Sequence, residues 1–261
     1  MTGPGVPALD VLIPARGGSV GLPGKNGRLL IDRPLLAHAV ACAALIRGVR
    51  RILLSTDDPG LADIGRTAGA VVPELRPAHL ATDDTPMADV IRYAVDLLER
   101  LDGGRAEFIL LLDPTSPLRD PDVIARAASL VHADDCLDGA VSVSAPAFNP
   151  LWVGVQLDDD GIMQRHPQTP AVFTRRQDVP PYWRINGSFY LWRTEFAADL
   201  APDWLDRGTL LGVQTPELLS HSIDTLEDFR LVEVLVRSGL VRLPWLTGID
   251  ESPDASGWNG R

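Results

Sequence analysis

The chain holds one lysine among 261 residues, Lys25, and every other Lys/Arg position is arginine. Lys25 lies in IPARGGSVGLPGKN (13–26), a stretch of four glycines and two prolines that overlaps the short apolar run LDVLIP (9–14). Glycines let a backbone approach phosphates closely and turn its N–H groups inward. An ammonium is a compact, mobile charge that a planar guanidinium does not replace. Lys25 and Arg16 could together hold a triphosphate and stabilise a departing pyrophosphate. The spacing is neither G-x-x-x-x-G-K-[ST] nor G-x-G-x-x-G, so the loop is neither a P-loop nor a dinucleotide fingerprint. The plainer alternative is a surface turn with an incidental lysine. The loop's place after the first strand, where open α/β sheets bind ligands, weighs against that.

Two further groups carry chemistry. Asp113 closes the apolar run EFILLLD (107–113), which places a carboxylate at the carboxyl end of a central strand, within reach of a metal or a substrate hydroxyl. Its alternative is a turn or cap residue ahead of the next helix. Arg175, Arg176 and Arg184 cluster in an otherwise acidic chain. Arginine forks bind carboxylate or phosphonate oxygens bidentately, although a solvated basic face or a subunit contact gives the same pattern.

The elements that must position these groups alternate. Strand-like runs at 9–14, 51–56, 70–73, 107–113 and 139–145 interleave with helix-like segments at 34–48, 58–69, 86–101 and 120–133, and 225–239 reads as a closing helix. Such alternation predicts a mostly parallel sheet covered by helices on both faces. From about 146 to 190 prolines and polar residues interrupt the pattern. Only short β-like pieces remain (LWVGVQL, AVFT, GSFYLW), which reads as an arm on the sheet. Residues 1–8 and 250–261 read as disordered ends around one domain over 9–249.

Bulk properties exclude several classes. A net charge of −11 and a pI near 4.8 oppose a broad nucleic-acid-binding face. No apolar segment approaches the roughly 20 residues that span a bilayer. The start MTGPGVPALD lacks the pattern of a signal peptide. Cys42 and Cys136 have no metal-ligand spacing and read as buried thiols of a reducing, cytoplasmic protein.

Six segments in order, IPARGGSVGLPGKN, STDDPGLADIGRTAGA, LRPAHLATDDT, LLLDPTSPLRDPDVI, RRQDVPPYWRINGSFY and SIDTLEDF, resemble those of the CMP-sialic acid synthetase-like cytidylyltransferases, over about residues 9 to 235. The resemblance implies a nucleotide-diphospho-sugar-transferase-like (Rossmann-like) α/β fold. It also implies transfer of CMP from CTP to a small acidic acceptor with release of pyrophosphate. Arg16, Gly17, Gly18, Ser19, Lys25 and Asn26 would line the phosphate loop, and Arg76 and Thr82 would face the cytosine. Asp113 would join the nucleotide side, and with Thr115, Ser116 and Arg119 it would form a rim towards the acceptor. Trp152, Arg176, Gln177, Arg184 and Asn186 would complete the acceptor site. Asp224 would hold Mg2+, and Asp228 would cap its helix. Relatives pair as homodimers through the region matching 146–185, so Arg176 could act in the partner's site.

The chain departs from the family pattern at four places. Val20 and Trp152 stand where lysines are usual, Asp113 replaces a glutamine, and Ser222 replaces the first aspartate of DIDT. The carboxylate gained at Asp113 would offset the ligand lost at Ser222. The acceptor is then either a phosphonate, such as phosphonoformate, or a nonulosonic sugar acid. A hydroxyl acceptor would need a general base, and neither His79 nor His221 has a clear claim to that role. A catalytically inactive CTP-binding module and a sugar-1-phosphate nucleotidyltransferase are the alternatives from other classes.

Overall fold

The computed structural model describes residues 6–18, 21–165 and 173–246. In chain order the elements are β1 (Leu9–Pro14), β2 (Leu29–Leu30), β3 (Arg33–Pro34), α1 (Leu35–Leu45), β4 (Val49–Ser55), α2 (Pro59–Ala68), α3 (Met87–Arg100), β5 (Phe108–Leu111), α4 (Pro121–His132), β6 (Gly139–Ser144), α5 (Pro150–Val153), β7 (Val155–Leu157), β8 (Met163–Arg165), β9 (Arg184–Arg193), α6 (Thr194–Ala198), α7 (Trp204–Arg207), β10 (Leu210–Gln214) and α8 (Leu226–Arg237). The disordered tail expected at 250–261, residues 1–5 of the disordered start expected at 1–8, and two residues of AVFT lie outside the described residues. Immediately ahead of β1 the chain is packed: Pro7 is buried and the Ala8 carbonyl accepts from Phe108 N.

Six strands form one sheet in the order β10-β6-β9-β5-β1-β4. β1 pairs in parallel with β4 and β5, and β10 with β6, whereas β9 runs antiparallel between β5 and β6. Alternate residues of each strand face opposite layers, as the pleat requires. Leu9, Val11 and Ile13 join a core with residues of α1, α2, α4 and α8, while Leu12, Ile109 and Leu111 join residues of α3 and α6 on the other face. The expected α/β architecture with helices on both faces is therefore present.

Three readings are corrected. The segment 184–193, taken as the end of the arm, is the ten-residue β9 at the centre of the sheet. The stretch 70–73 makes only one isolated bridge, Val71 to Leu53, before Pro73 ends any ladder. LWVGVQL is not one strand: Asn149 caps the helical turn α5, and only β7 follows it, paired with β8 as a separate hairpin. β10 and α6 were not anticipated. Of the two cysteines Cys42 is buried, its thiol pushed up to about 12 by that burial, but Cys136 is exposed just after α4.

His38 ties the C-terminal end to α1. It is fully buried, with Nε2 2.8 Å from the Leu30 carbonyl and Nδ1 accepting from Trp245 Nε1–H at 3.0 Å. The carbonyl needs a proton on Nε2 and the indole needs a lone pair on Nδ1, so the ring is the neutral Nε2–H tautomer. Burial holds its pKa below the usual value of 6.5. A depressed folded-state pKa means the stability is fully present above the unfolded value and is lost as pH falls through it, with a limiting slope of about 1.4 kcal/mol per pH unit. The guanidinium midpoint is expected to drop between pH 7 and pH 5, and His38→Gln is expected to flatten that drop.

Candidate active site

β1 ends at Pro14, and the glycine-rich loop that follows folds back over the carboxyl edge of the sheet. Asp57, at the end of β4, accepts from Gly17 N at 3.0 Å, and Asp58 caps α2 by accepting from Leu61 N. The Asp57 carboxylate thus ties one side of the loop to the end of β4. On the other side Gly21 is pressed against the segment before α8: a Cβ at Gly21 would lie 2.5 Å from the Asp224 carbonyl oxygen. Gly24 turns the chain in the left-handed region, with φ 68°.

This path delivers Lys25 to Asp224. The ammonium donates to Asp224 Oδ1 and to the Ile223 carbonyl, each at 2.9 Å. The Lys25 side chain is 13% exposed and that of Asp224 69%, so the pair sits at the floor of an open edge. Asn26 is buried and its Nδ2 donates to the Arg16 carbonyl at 3.3 Å, bracing the loop from within. Arg16 pairs with Asp83, which joins the loop to the stretch 82–85, where Thr82 and Thr85 share a hydroxyl hydrogen bond of 2.7 Å. Gly18 is exposed on the loop, and the expected phosphate ligand Ser19 lies outside the described residues, as does Val20.

Arg76 is 6% exposed, and its Nε and Nη2 are buried without a partner. Burial lowers its pKa, while the charge of Asp57 works in the opposite sense. An unmet buried donor costs about 1–3 kcal/mol, and the described residues supply no acceptor for these two.

The second half of the site is the turn after β5. Thr115 donates from its backbone N–H (3.0 Å) and its hydroxyl (2.9 Å) to Asp113 Oδ1. The Thr115 carbonyl accepts from Ile223 N at 2.7 Å, which splices this turn to the segment before α8. Ser222 bridges what remains, with Oγ 3.4 Å from Thr115 Oγ1 and 3.5 Å from Asp224 Oδ2. A chain of oxygens thus runs Asp113–Thr115–Ser222–Asp224, and a cation, the Lys25 ammonium, already sits on its end. Thr225 and Asp228 form a capping box that starts α8, so Asp228 serves the helix as expected.

Such hard oxygen donors fit Mg2+, which is satisfied by one or two carboxylates with phosphate oxygens and waters. Among the described residues no cluster of three or more Asp, Glu, His or Cys side chains could cage a metal unaided.

Beside this turn opens a cavity of about 530 Å³. Asp113, Thr115, Ser116, Asn186 and Ser222 line one part of it, and Met87, Tyr190, Leu200 and Trp204 line another. Asn186 is held by Thr215 Oγ1, to which its Nδ2 donates at 2.7 Å, and by Ser188 N, which donates to its Oδ1.

The other expected acceptor ligands are not at this cavity. Arg119 is 2% exposed and donates to the carbonyls of Asp113 and Ser188, so it buttresses β5 against β9 from below. Arg184 donates to Glu217 Oε1 at 2.8 Å and to Ser220 Oγ at 2.7 Å. Arg176 and Gln177 are exposed in a 3-10 turn beyond β8, and Trp152 is half-buried in α5. The apolar part of the cavity was missed. Its residues come from the start of α3, from β9, from the α6–α7 linker and from the first residue of α7, and they carry no polar signature in sequence.

Residues 11–236 match the family model described as cytidylyltransferase. The CMP-N,N'-diacetyllegionaminic acid synthase of Legionella pneumophila is 34% identical over 239 residues, covering 86% of this chain and 94% of that protein. The N-acylneuraminate cytidylyltransferase of Escherichia coli is 35% identical over 180 residues, 69% of this chain and 41% of that longer protein. Among solved structures, a CMP:2-keto-3-deoxy-manno-octonic acid synthetase complexed with CTP superposes with a TM-score of 0.65 at 19% identity, covering 87% of this chain and 98% of the other.

Proposed function

Since the chain belongs to the cytidylyltransferase family and is a CTP-dependent nucleotidyltransferase, we propose that it transfers CMP from CTP to a nonulosonic, sialic-acid-like sugar acid with release of pyrophosphate. The observation that carries this reading is the cavity that begins at Asp113 and Ser222, next to the Lys25–Asp224 pair. The two relatives reported above are named for sugar acids. Of the two acceptors weighed from the sequence, the phosphonate has no support from these relatives. Of the clustered arginines whose forks suit either acid, Arg184 and Arg175 are held by internal partners, Glu217 and Asp178.

In the proposed reaction an acceptor hydroxyl attacks the α-phosphorus in line, the bond to the bridging oxygen breaks, and pyrophosphate leaves. Catalysis of this kind rests on positioning and charge neutralisation. Lys25 and Arg16 take the charge of the departing pyrophosphate, and the loop amides around Gly17 and Gly18 cradle it. Arg76 and Thr82 face the base. Asp224 and Asp113 would hold Mg2+, which would supply charge neutralisation at the α-phosphate. Asp113 also lines the cavity and is the carboxylate nearest in kind to a general base, a role that neither His79 nor His221 shares. Pyrophosphate release from CTP, measured with a panel of sugar acids and phosphonates, tests the proposal. Release with a phosphonate alone, or with no acid at all, counts against it.

We further propose a homodimer formed through the arm. The described arm leaves Phe148, Val153, Leu157, Ile162 and Met163 between 53% and 77% exposed, together with Tyr182 and Trp183. Several large apolar side chains left exposed on one short segment are what an interaction site would cover. A partner seated there would bring Arg176 of the arm to a neighbouring site, as the family resemblance implied. Leu157→Asp together with Met163→Asp is expected to halve the mass measured by light scattering, with the far-UV spectrum unchanged.

A further inference from the structure

A second cavity of about 530 Å³ opens along the outer face of α4. Val6 and Pro7 of its lining lead into β1, Arg47 lies between α1 and β4, and His132 ends α4. β1, β4 and β5 are parallel, so these residues sit at the amino edge of the sheet, whereas the glycine-rich loop, Asp57 and Asp113 follow strand carboxyl ends. α4 contributes Asp122, Arg126, Ser129 and His132 at spacings of three and four, which is one face of a helix. Ile124, Ala127, Ala128 and Val131 of its other face are buried in the core.

The charges in this cavity are unevenly met. His132 Nδ1 lies 2.8 Å from Glu107 Oε1, and Arg193 Nη1 reaches the same oxygen at 3.4 Å, so the Glu107 carboxylate has two partners. Arg47 and Arg126 are exposed and take part in no ion pair or hydrogen bond among the described residues. The chain has a net charge of −11, and its exposed arginines Arg66, Arg100 and Arg237 each hold a carboxylate. Asp122 lines the far end of the cavity, about 15 Å along the helix from His132, and does not pair with Arg126 one turn later. Apolar groups lie beside the two free guanidinium forks: Val6 is 53% and Leu130 57% exposed.

We propose that this cavity binds a small phosphate ester carrying an apolar or aromatic substituent. Arg47 and Arg126 take the dianion, and Val6 and Leu130 take the substituent. Arginine forks match phosphate oxygens bidentately, and a concave protein wall focuses their field. An inorganic ion would use the forks alone. None of the lining residues belongs to the loop, the turn or the cavity at the carboxyl edge, so the ligand is an effector and the inference is independent of the sugar-acid reading.

Cys136 is exposed just beyond the end of α4 while Cys42 is buried, so one environment-sensitive label on Cys136 reports on this end of the cavity. Titrations with phenyl phosphate and with inorganic phosphate are expected to saturate, with phenyl phosphate about 10-fold tighter, the gain from one ring face leaving water. Arg47→Gln together with Arg126→Gln is expected to weaken phenyl phosphate by about 10-fold or more. Both side chains are exposed, so the fold is expected to survive. Leu130→Gln is expected to narrow the gap between the two probes and to leave phosphate affinity unchanged. Lys25→Ala, at the opposite edge of the sheet, is expected to move none of these values. Isothermal calorimetry on unlabelled protein repeats the comparison. Equal affinity for the two probes would mean an adventitious ion only and overturns the proposal. An affinity unmoved in the folded double variant, an affinity lost in Lys25→Ala, or no saturable response overturns it as well.

Discussion

Lys25→Ala is expected to lower kcat/KM for CTP by about 10²–10³-fold, the loss typical of removing one preorganised group that stabilises transition-state charge. The fold should survive, because Lys25 contributes one partly exposed ion pair and one hydrogen bond, to Asp224 and to the Ile223 carbonyl. Lys25→Arg should restore only part of the activity. The ammonium fits between two oxygens at 2.9 Å each under a loop pressed to within Cβ distance of the Asp224 carbonyl, and a planar fork needs a different space. A further readout separates this role from general loop stabilisation. In the free protein the ammonium occupies Asp224 Oδ1, where a divalent cation would compete with it. Mn2+ affinity measured without nucleotide should therefore not fall in Lys25→Ala, even though the affinity for CTP does. Steady-state kinetics with a pyrophosphate assay and metal titration by electron paramagnetic resonance check the two halves, and a parallel loss of both would show that the variant had simply collapsed the loop.

Much of this site is legible in the residues themselves. A buried strand, a glycine-rich loop and a solitary lysine mark the side proposed to hold the phosphates, because each property is local: strand burial, backbone freedom at Gly21 and Gly24, and charge type at Lys25. The start of α8 is legible for the same reason, since a capping box is written within four residues, Thr225 to Asp228. What was misread depends on partners far away in the chain. Arg184 looks like an anion fork until Glu217, 33 residues later, is seen to hold it. Arg119 looks like a rim residue until the Ser188 carbonyl, 69 residues later, takes its Nε. β9 was read only as the short piece GSFYLW of an arm, whereas in the sheet Gly187 takes φ 72° within a continuous strand and the register between β6 and β9 shifts around Ser142. The aromatic end of the cavity was invisible because its residues look like ordinary core.

Asp224→Asn is the second substitution with a large expected effect. It keeps shape and one oxygen but removes the charge that would hold Mg2+, and charge stabilisation by a metal is worth several kcal/mol in the transition state, or about 10²–10³-fold in kcat. Stability should change little, because the side chain is 69% exposed and α8 keeps its capping box. Asp113→Asn separates the two duties proposed for that carboxylate. If Asp113 supplies the ligand that Ser222 does not, Mg2+ affinity in the presence of CTP falls in both variants, and Ser222→Asp recovers part of the loss in Asp113→Asn because the oxygen chain from Asp113 through Thr115 and Ser222 ends on Asp224. If Asp113 is instead the base for the acceptor hydroxyl, Mg2+ affinity holds, kcat falls, and the acidic limb of the pH–rate profile disappears. Calorimetric Mg2+ titration with CTP present, set beside kcat against pH for both variants, decides between a metal site of two carboxylates and a metal site of one carboxylate with a neighbouring base.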